Sequence, residues 1–479
     1  MESRPVFANL SPIDHRYSIA EPELFAKLSA HLSEEAVVRS CARVEEALLA
    51  ALIRRLAPEG RRAALAAAVA GVAESVDPVE VYAEEAKTRH NVRALVNVIK
   101  RIVPPEAGPY VHLGATSVDI LDTAASLRYR EATRRVLLPL LADLEEALVR
   151  LARAEADTPQ IGRTHGQFAV PITFGFAVAG YVSRLGKCIL RIRDRAADLR
   201  GKLSGAVGSY NAGSLLVSDP EALEREFLAG LGLTPSDTAT QLVEPEHLLG
   251  LLLEINTAFG VAANLADDLR HLQRSEIAEV REEFAETQVG SSTMPQKRNP
   301  WNAEHVKSLW KAFAPRVVTF FLDQVSEHQR DLTNSASGRF VADYLAGFAN
   351  AVARMKAVIG SLTVDRAAMA GNLRRAGDLA FAEAVYVLAA RGGSNDAHER
   401  VRKATLRVER EGRPLCEVLA EDASLWKALD TGLRASAGCD AATFFSDPAR
   451  YTGRAGARAR ETADRWETAM AALKKELEA

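Results

Sequence analysis

The segment Gly290-Ser291-Ser292-Thr293-Met294-Pro295-Gln296-Lys297-Arg298-Asn299-Pro300 gathers hydroxyls and cations in a glycine-led loop directly before a stretch of good helix formers. Asn299 reads as an N-cap and Pro300 as the first helical residue. Free N–H groups and the positive end of the helix dipole would then face the loop, favouring an anion such as a substrate carboxylate or a serine alkoxide. Taken alone, an ordinary capped turn explains the same residues. Two further polar loops change the weighing. Leu113-Gly114-Ala115-Thr116-Ser117-Val118-Asp119 offers two hydroxyls at the start of a long helical stretch. Gly162-Arg163-Thr164-His165-Gly166-Gln167 sets a histidine between hydrogen-bond donors shortly before Pro171. By itself Thr116-Ser117 is a helix cap and His165 a structural histidine.

In order and approximate spacing, the three loops resemble the three signature regions of the fumarase/aspartase superfamily of lyases. The resemblance runs over nearly the whole chain and is strongest to the adenylosuccinate lyases, in particular their archaeal-like form. Ser11-Pro12-Ile13-Asp14-His15-Arg16-Tyr17 is similar to an early Arg-Tyr pair that reaches the nucleotide phosphate. Lys87-Thr88-Arg89-His90-Asn91-Val92 is similar to the second histidine motif. Arg330-Asp331-Leu332-Thr333-Asn334-Ser335-Ala336-Ser337-Gly338-Arg339 resembles the nucleotide-binding run, with Arg330, Arg339 and Ser335 available to a phosphate. Thr240-Gln241 resembles the glutamine that contacts the succinyl part. Without the other motifs, these stretches read as surface loops or a charged helix start.

The resemblance implies a β-elimination that breaks a carbon–nitrogen bond and releases fumarate. Such an enzyme removes a weakly acidic proton next to a carboxylate and expels an amine, and fixed donors stabilise the charge that develops between those events. It casts Ser291 as general base and His165 as general acid, with His90 orienting His165 or binding phosphate. Lys297 and Asn299 would hold a substrate carboxylate, and Thr116, Ser117, Thr164 and Gln241 would clamp the succinyl group. Arg16, Tyr17, Arg89, Asn91, Ser292, Met294, Arg330, Ser335 and Arg339 complete the expected substrate contacts. An isolated serine hydroxyl is far too weakly acidic for this task at neutral pH, so closure of the Gly290-led loop and exclusion of water belong to the same expectation. No cofactor or metal is expected, because both proton transfers can run on side chains and the histidines lack H-x-x-x-H or H-E-x-x-H spacing. The resemblance also implies a homotetramer in which each active site draws its three loops from three chains.

The sequence departs from the common adenylosuccinate lyase pattern at three places. Asn91 stands where an Asp usually follows the histidine, Gln296 where a His often precedes the lysine, and Gln329 where Glu commonly precedes the arginine. The MPQK wording resembles argininosuccinate lyase. Members acting on argininosuccinate or nitrosuccinate, and the carboxymuconate cycloisomerases, share the loops. Arg16-Tyr17 and the 330–339 run favour a phosphorylated substrate, so adenylosuccinate is expected. A catalytically silent helical scaffold, like the lens crystallins derived from argininosuccinate lyase, has no physical need to keep Ser291, His165 and Lys297 together.

These loops need long elements to hold them. Leu137, Leu141, Leu144, Leu148 and Leu151 step by four and three, which puts one apolar stripe on one helix face. Leu248, Leu252, Ile255, Phe259 and Ala262 repeat the pattern, as a helix does when it packs against neighbouring helices. Segments 171–203 and 300–325 are rich in helix formers, and alternating β-branched runs are scarce. The chain therefore reads as all-α, a long central bundle flanked by smaller helical domains, with boundaries expected at 1–112, 113–362 and 363–479. Gly, Pro, Ser and Asn cluster at 104–109, 157–171, 204–220 and 287–300, which read as loops.

Composition excludes several classes. The 479 residues carry 60 Lys plus Arg against 63 Asp plus Glu, without the basic excess of a nucleic-acid or anionic-membrane binder. The apolar stretch around 248–266 is interrupted by Glu254 and Asn256, so no membrane span is expected. Cys41, Cys188, Cys416 and Cys439 show neither a disulfide framework nor a C-x-x-C pair, which fits a reducing, cytoplasmic compartment.

Overall fold

A computed structural model describes residues 5–284 and 290–478. Helices dominate it, as the stripes require. After a helix at Pro22–Leu32 come α1 (Glu34–Leu56), α2 (Pro78–Thr88) and α3 (Asn91–Ile102). A long rod follows: α4 (Ser117–Ala132), a π-turn at Thr133–Leu137, and α5 (Leu138–Ala154). Pro139 cannot donate the backbone bond of a regular helix, and the rod widens into its π-turn in the residues just before it.

The segment 157–171, expected as a loop, is instead largely a hairpin of β1 (Pro159–Thr164) and β2 (Gln167–Thr173). From its base α6 (Phe174–Ala197) packs against α5. Its follow-on, β3 (Arg200–Gly201), pairs in parallel with β4 (Thr234–Pro235) beside α4. α7 (Glu246–Leu272), β5 (Val280–Arg281), α8 (Trp301–Phe313), α9 (Val341–Ser361), β6 (Thr363–Val364) and α10 (Arg366–Ala376) continue the chain, and α11 (Ala455–Glu478) closes it. β5 and β6 pair antiparallel.

Both apolar stripes are spent inside one core. Leu137, Leu141, Leu144 and Leu148 of the rod are buried with Leu252, Ile255 and Phe259 of α7. Phe259 meets Phe348 of α9 edge-on, ring centroids 5.3 Å apart. By length and composition α7 passes as a membrane-spanning helix, but here its apolar residues pack against α6, α8 and α9. A second cluster joins α1 and α3 to Ile120, Ala124 and Leu127 of α4, so the rod belongs to two cores. A third gathers residues between Phe381 and Phe445. α11 returns to the first core through Ala459, Ala463, Trp466, Met470 and Leu473.

Candidate active site

The loop from Gly290 to Pro300 leads into α8, and Ser292 through Arg298 stand exposed. Thr287, Gln288 and Val289, with which this loop was expected to begin, lie outside the described residues. Ser291 Oγ accepts hydrogen bonds from the Met294 N–H at 3.1 Å and the Thr293 N–H at 3.4 Å. Donors aimed at an oxygen favour its anionic form, although serine turns commonly adopt the same geometry. The Asn299 carboxamide donates to the Gly290 carbonyl at 2.9 Å and ties the two ends of the loop together. Lys297 forms no ion pair among the described residues.

The structure differs from the expected cap. α8 begins at Trp301 with Pro300 as its N-cap, and Asn299 lies outside the helix. Two of its first N–H groups, those of Asn302 and Ala303, are not free for a substrate anion. The Glu282 carboxylate accepts from Asn302 N at 3.1 Å and Ala303 N at 2.8 Å. An internal carboxylate thus does the capping that the sequence reading gave to Asn299.

His165 and Gly166 form the two-residue turn of the hairpin, with Thr164 opposite Gln167. Their φ values of 56° and 75° put both in the left-handed region that such a tight hairpin turn uses. His165 is therefore presented, exposed, at the tip of a strained turn. The hairpin is anchored at Arg163, which holds Glu279 through two bonds of 2.6 and 3.1 Å. Gln160 and Asn372 each add a 2.7 Å bond to this fully buried carboxylate. Since Glu279 and Glu282 follow α7 closely, the His165 hairpin and the Ser291 loop share one end of the bundle. No hydrogen bond joins His165 to Ser291 or Lys297 among the described residues.

The other sequence-predicted residues gather elsewhere. His90 caps α3 by accepting Arg93 N at Nδ1, 3.2 Å, and its Nε2 lies 3.4 Å from Ser117 Oγ. Arg89 sits in the left-handed region at the end of α2, and the Asn91 side chain accepts the Val92 N–H. Thr116 forms a capping box with Asp119, whose carboxylate is buried against Lys202 with neither side chain exposed to solvent. The Gln241 N–H donates to the Gln329 carbonyl at 3.3 Å, beside Arg330. Asp122 of α4 accepts the Val243 N–H at 2.9 Å, and burial pushes its carboxyl up to about 6. Arg330 has φ 81° and gives its guanidinium to Gln324 O and Ser326 Oγ, so it is engaged internally. Ser335 and Arg339 are exposed on the same run, which touches α4 where Tyr129 donates to Gly338 O. Arg16 and Tyr17 lie apart from this group, with Tyr17 5.7 Å from the His305 ring on α8.

One chain therefore presents two groups of candidate residues. Thr164, His165, Ser291, Ser292, Met294, Lys297 and Asn299 lie beyond the Ala154 end of the rod, while His90 and Ser117 mark its beginning. The rod runs without a break from Ser117 to Ala154. At 1.5 Å per residue it is about 55 Å long. Sequence reasoning missed Glu279, Glu282 and Lys202, because charged residues in charge-rich text carry no mark of burial.

A lyase family model matches residues 15–312, and a model described as the adenylosuccinate lyase C-terminal region matches residues 326–436. The adenylosuccinate lyase of Pyrococcus abyssi is 35% identical over 351 residues, 72% of this chain and 76% of its own length. That of Archaeoglobus fulgidus is 32% identical over 422 residues, 87% of this chain and 91% of its own. An N-acetyl-S-(2-succino)cysteine lyase of Enterococcus italicus is 30% identical over 408 residues, 84% of each chain. Among solved structures, the 3-carboxy-cis,cis-muconate lactonizing enzyme of Pseudomonas putida superposes with a TM-score of 0.74 at 26% identity, over 94% of this chain and 97% of that one. A fumarate lyase from Mesorhizobium sp. BNC1 has the same fold, with a TM-score of 0.77 at 24% identity over 92% and 97% of the two chains.

Proposed function

Because this chain belongs to the adenylosuccinate lyase family of the fumarase/aspartase superfamily, we propose that it cleaves adenylosuccinate to AMP and fumarate by β-elimination. Ser291 takes the proton next to the substrate carboxylate, and the resulting charge spreads onto that carboxylate beside Lys297. His165 gives a proton to the departing nitrogen as the carbon–nitrogen bond breaks. The observation that carries the reading within the site is the Ser291 hydroxyl, an acceptor of two backbone N–H groups in a loop that also holds Lys297 and Arg298. Those donors and cations favour a serine alkoxide; the α8 N-terminus, already capped by Glu282, contributes less than the sequence implied.

His90 with Ser117, and Gln241 with the 330–339 run, supply the succinyl and nucleotide contacts. Their place at the far part of the rod calls for more than one chain per site, so we propose a homotetramer with shared sites. Four cysteines without a disulfide support a reducing, cytoplasmic setting.

The test is to incubate the purified protein in parallel with adenylosuccinate, argininosuccinate, nitrosuccinate and N-acetyl-S-(2-succino)cysteine, following fumarate and the partner product, with Ser291→Ala as control. Fumarate and AMP from adenylosuccinate, abolished in the variant, is the expected result. Fumarate from another compound alone would keep the reaction class and overturn the substrate.

A further inference from the structure

The two buried carboxylates that follow α7 stand at either side of the same two-residue strand. Glu279 immediately precedes β5 and Glu282 immediately follows it. In extended chain, residues an odd number apart project to opposite faces, so side chains three apart can reach in different directions. Here one reaches the hairpin that carries His165 and the other reaches the helix start that follows Ser291. We propose that Glu279 and Glu282 are positioning residues, and that β5 mounts two loops through its flanking carboxylates, Glu279 holding the His165 hairpin and Glu282 the exit of the Ser291 loop. The roles of those two side chains rest on the function proposed above.

The backbone between the two carboxylates is pinned. The Glu279 N–H donates to Leu272 O at 2.9 Å, and its carbonyl accepts from Asp365 N at 2.9 Å. β5 itself is paired with β6. The Glu282 N–H donates to Gln273 Oε1 at 2.9 Å, and Gln273 Nε2 reaches the Arg298 carbonyl at 3.3 Å. Glu282 and Gln273 thereby grip the loop's exit from both sides.

Glu279 receives four hydrogen bonds, from Arg163 twice, Gln160 and Asn372. A buried carboxylate so fully satisfied holds its partners in one arrangement. Arg163 is two residues from His165, which leaves the tip of the hairpin little freedom relative to β5. Misplacing a reacting group by about 1 Å costs on the order of a hundredfold in rate, so a rigid mount of this kind bears directly on turnover.

The assembled full-length protein, as Glu279→Gln and Glu282→Gln variants, tests this by peptide-level hydrogen–deuterium exchange and by turnover of the succinyl compound the wild type accepts. Glu282→Gln should speed exchange across 290–303 by about tenfold or more and leave 160–168 unchanged; Glu279→Gln should do the reverse. Each should lower kcat about ten- to a hundredfold while KM stays within about threefold. Should Glu279→Gln fail to fold, the double variant Glu279→Leu/Arg163→Met removes both charges together and is read the same way. Glu282→Asp, which draws the carboxylate back from Asn302 N and Ala303 N, serves likewise for Glu282. Exchange rising alike in both loops, or a kcat within about twofold of wild type, would overturn the proposal. If the wild type releases fumarate from none of the compounds, the proposed function fails by itself, and the exchange pattern still decides whether the two carboxylates hold their separate loops.

Discussion

Glu145 is a costly side chain in the central core. It lies on α5 with no exposed surface, and neither carboxylate oxygen has a hydrogen-bond partner among the described residues. Burial drives its carboxyl well above the usual glutamate range, which keeps the folded protein's Glu145 protonated where the unfolded chain's would ionise. The folded state therefore holds the extra proton, and stability falls as pH rises from the ordinary glutamate value toward the raised one. Glu145→Met keeps the volume and removes the orphaned oxygens, so it should raise stability by about 1–3 kcal/mol at pH 8. The gain should shrink near pH 4, where the unfolded chain is also protonated. Denaturant titrations at the two pH values check this, and a variant less stable than wild type at pH 8 would show that Glu145 has an unseen partner. Lys202 and Asp119 present the opposite case, a buried pair in which each charge is matched, and there removing one partner leaves the other stranded.

Among the elements, the long helices were legible because burial writes a stripe into the text. Leu141, Leu144 and Leu148 could face a core only from a helix, and they do. The β1–β2 hairpin was not legible, since its stability is borrowed. An isolated two-stranded ribbon is marginal, and this one is held by Glu279 and by packing on α10, neither of which is near in sequence. The candidate loops stood out by their glycines, prolines and hydroxyls, whereas the carboxylates that mount them looked like solvated surface. The turn itself carries a signature of use. Left-handed backbone costs a residue such as His165 about 1–2 kcal/mol, and Asn-Gly is the pair this type of turn prefers. His165→Asn should therefore raise the unfolding free energy by about 1 kcal/mol, measured by denaturant titration, while fumarate release collapses. A variant both less stable and inactive would instead mark His165 as a structural part of the hairpin.

At the scale of the whole molecule, the decisive quantity is the length of the rod. His90 and Ser117 sit at its beginning, and the hairpin and Ser291 loop lie past Ala154, about 55 Å further on. A small substrate cannot touch both groups on one chain. If both groups serve one reaction, each site must be assembled from different copies. Mixing two inactive variants, His90→Ala and Ser291→Ala, under conditions that exchange subunits should then restore part of the fumarate release, because some mixed assemblies contain a site with both residues intact. Mixed assemblies detected by native mass spectrometry without any recovery of activity would mean that the two residues do not meet in a site shared between copies. Recovery, with neither variant active alone, would tie the rod's length to the way the active site is built.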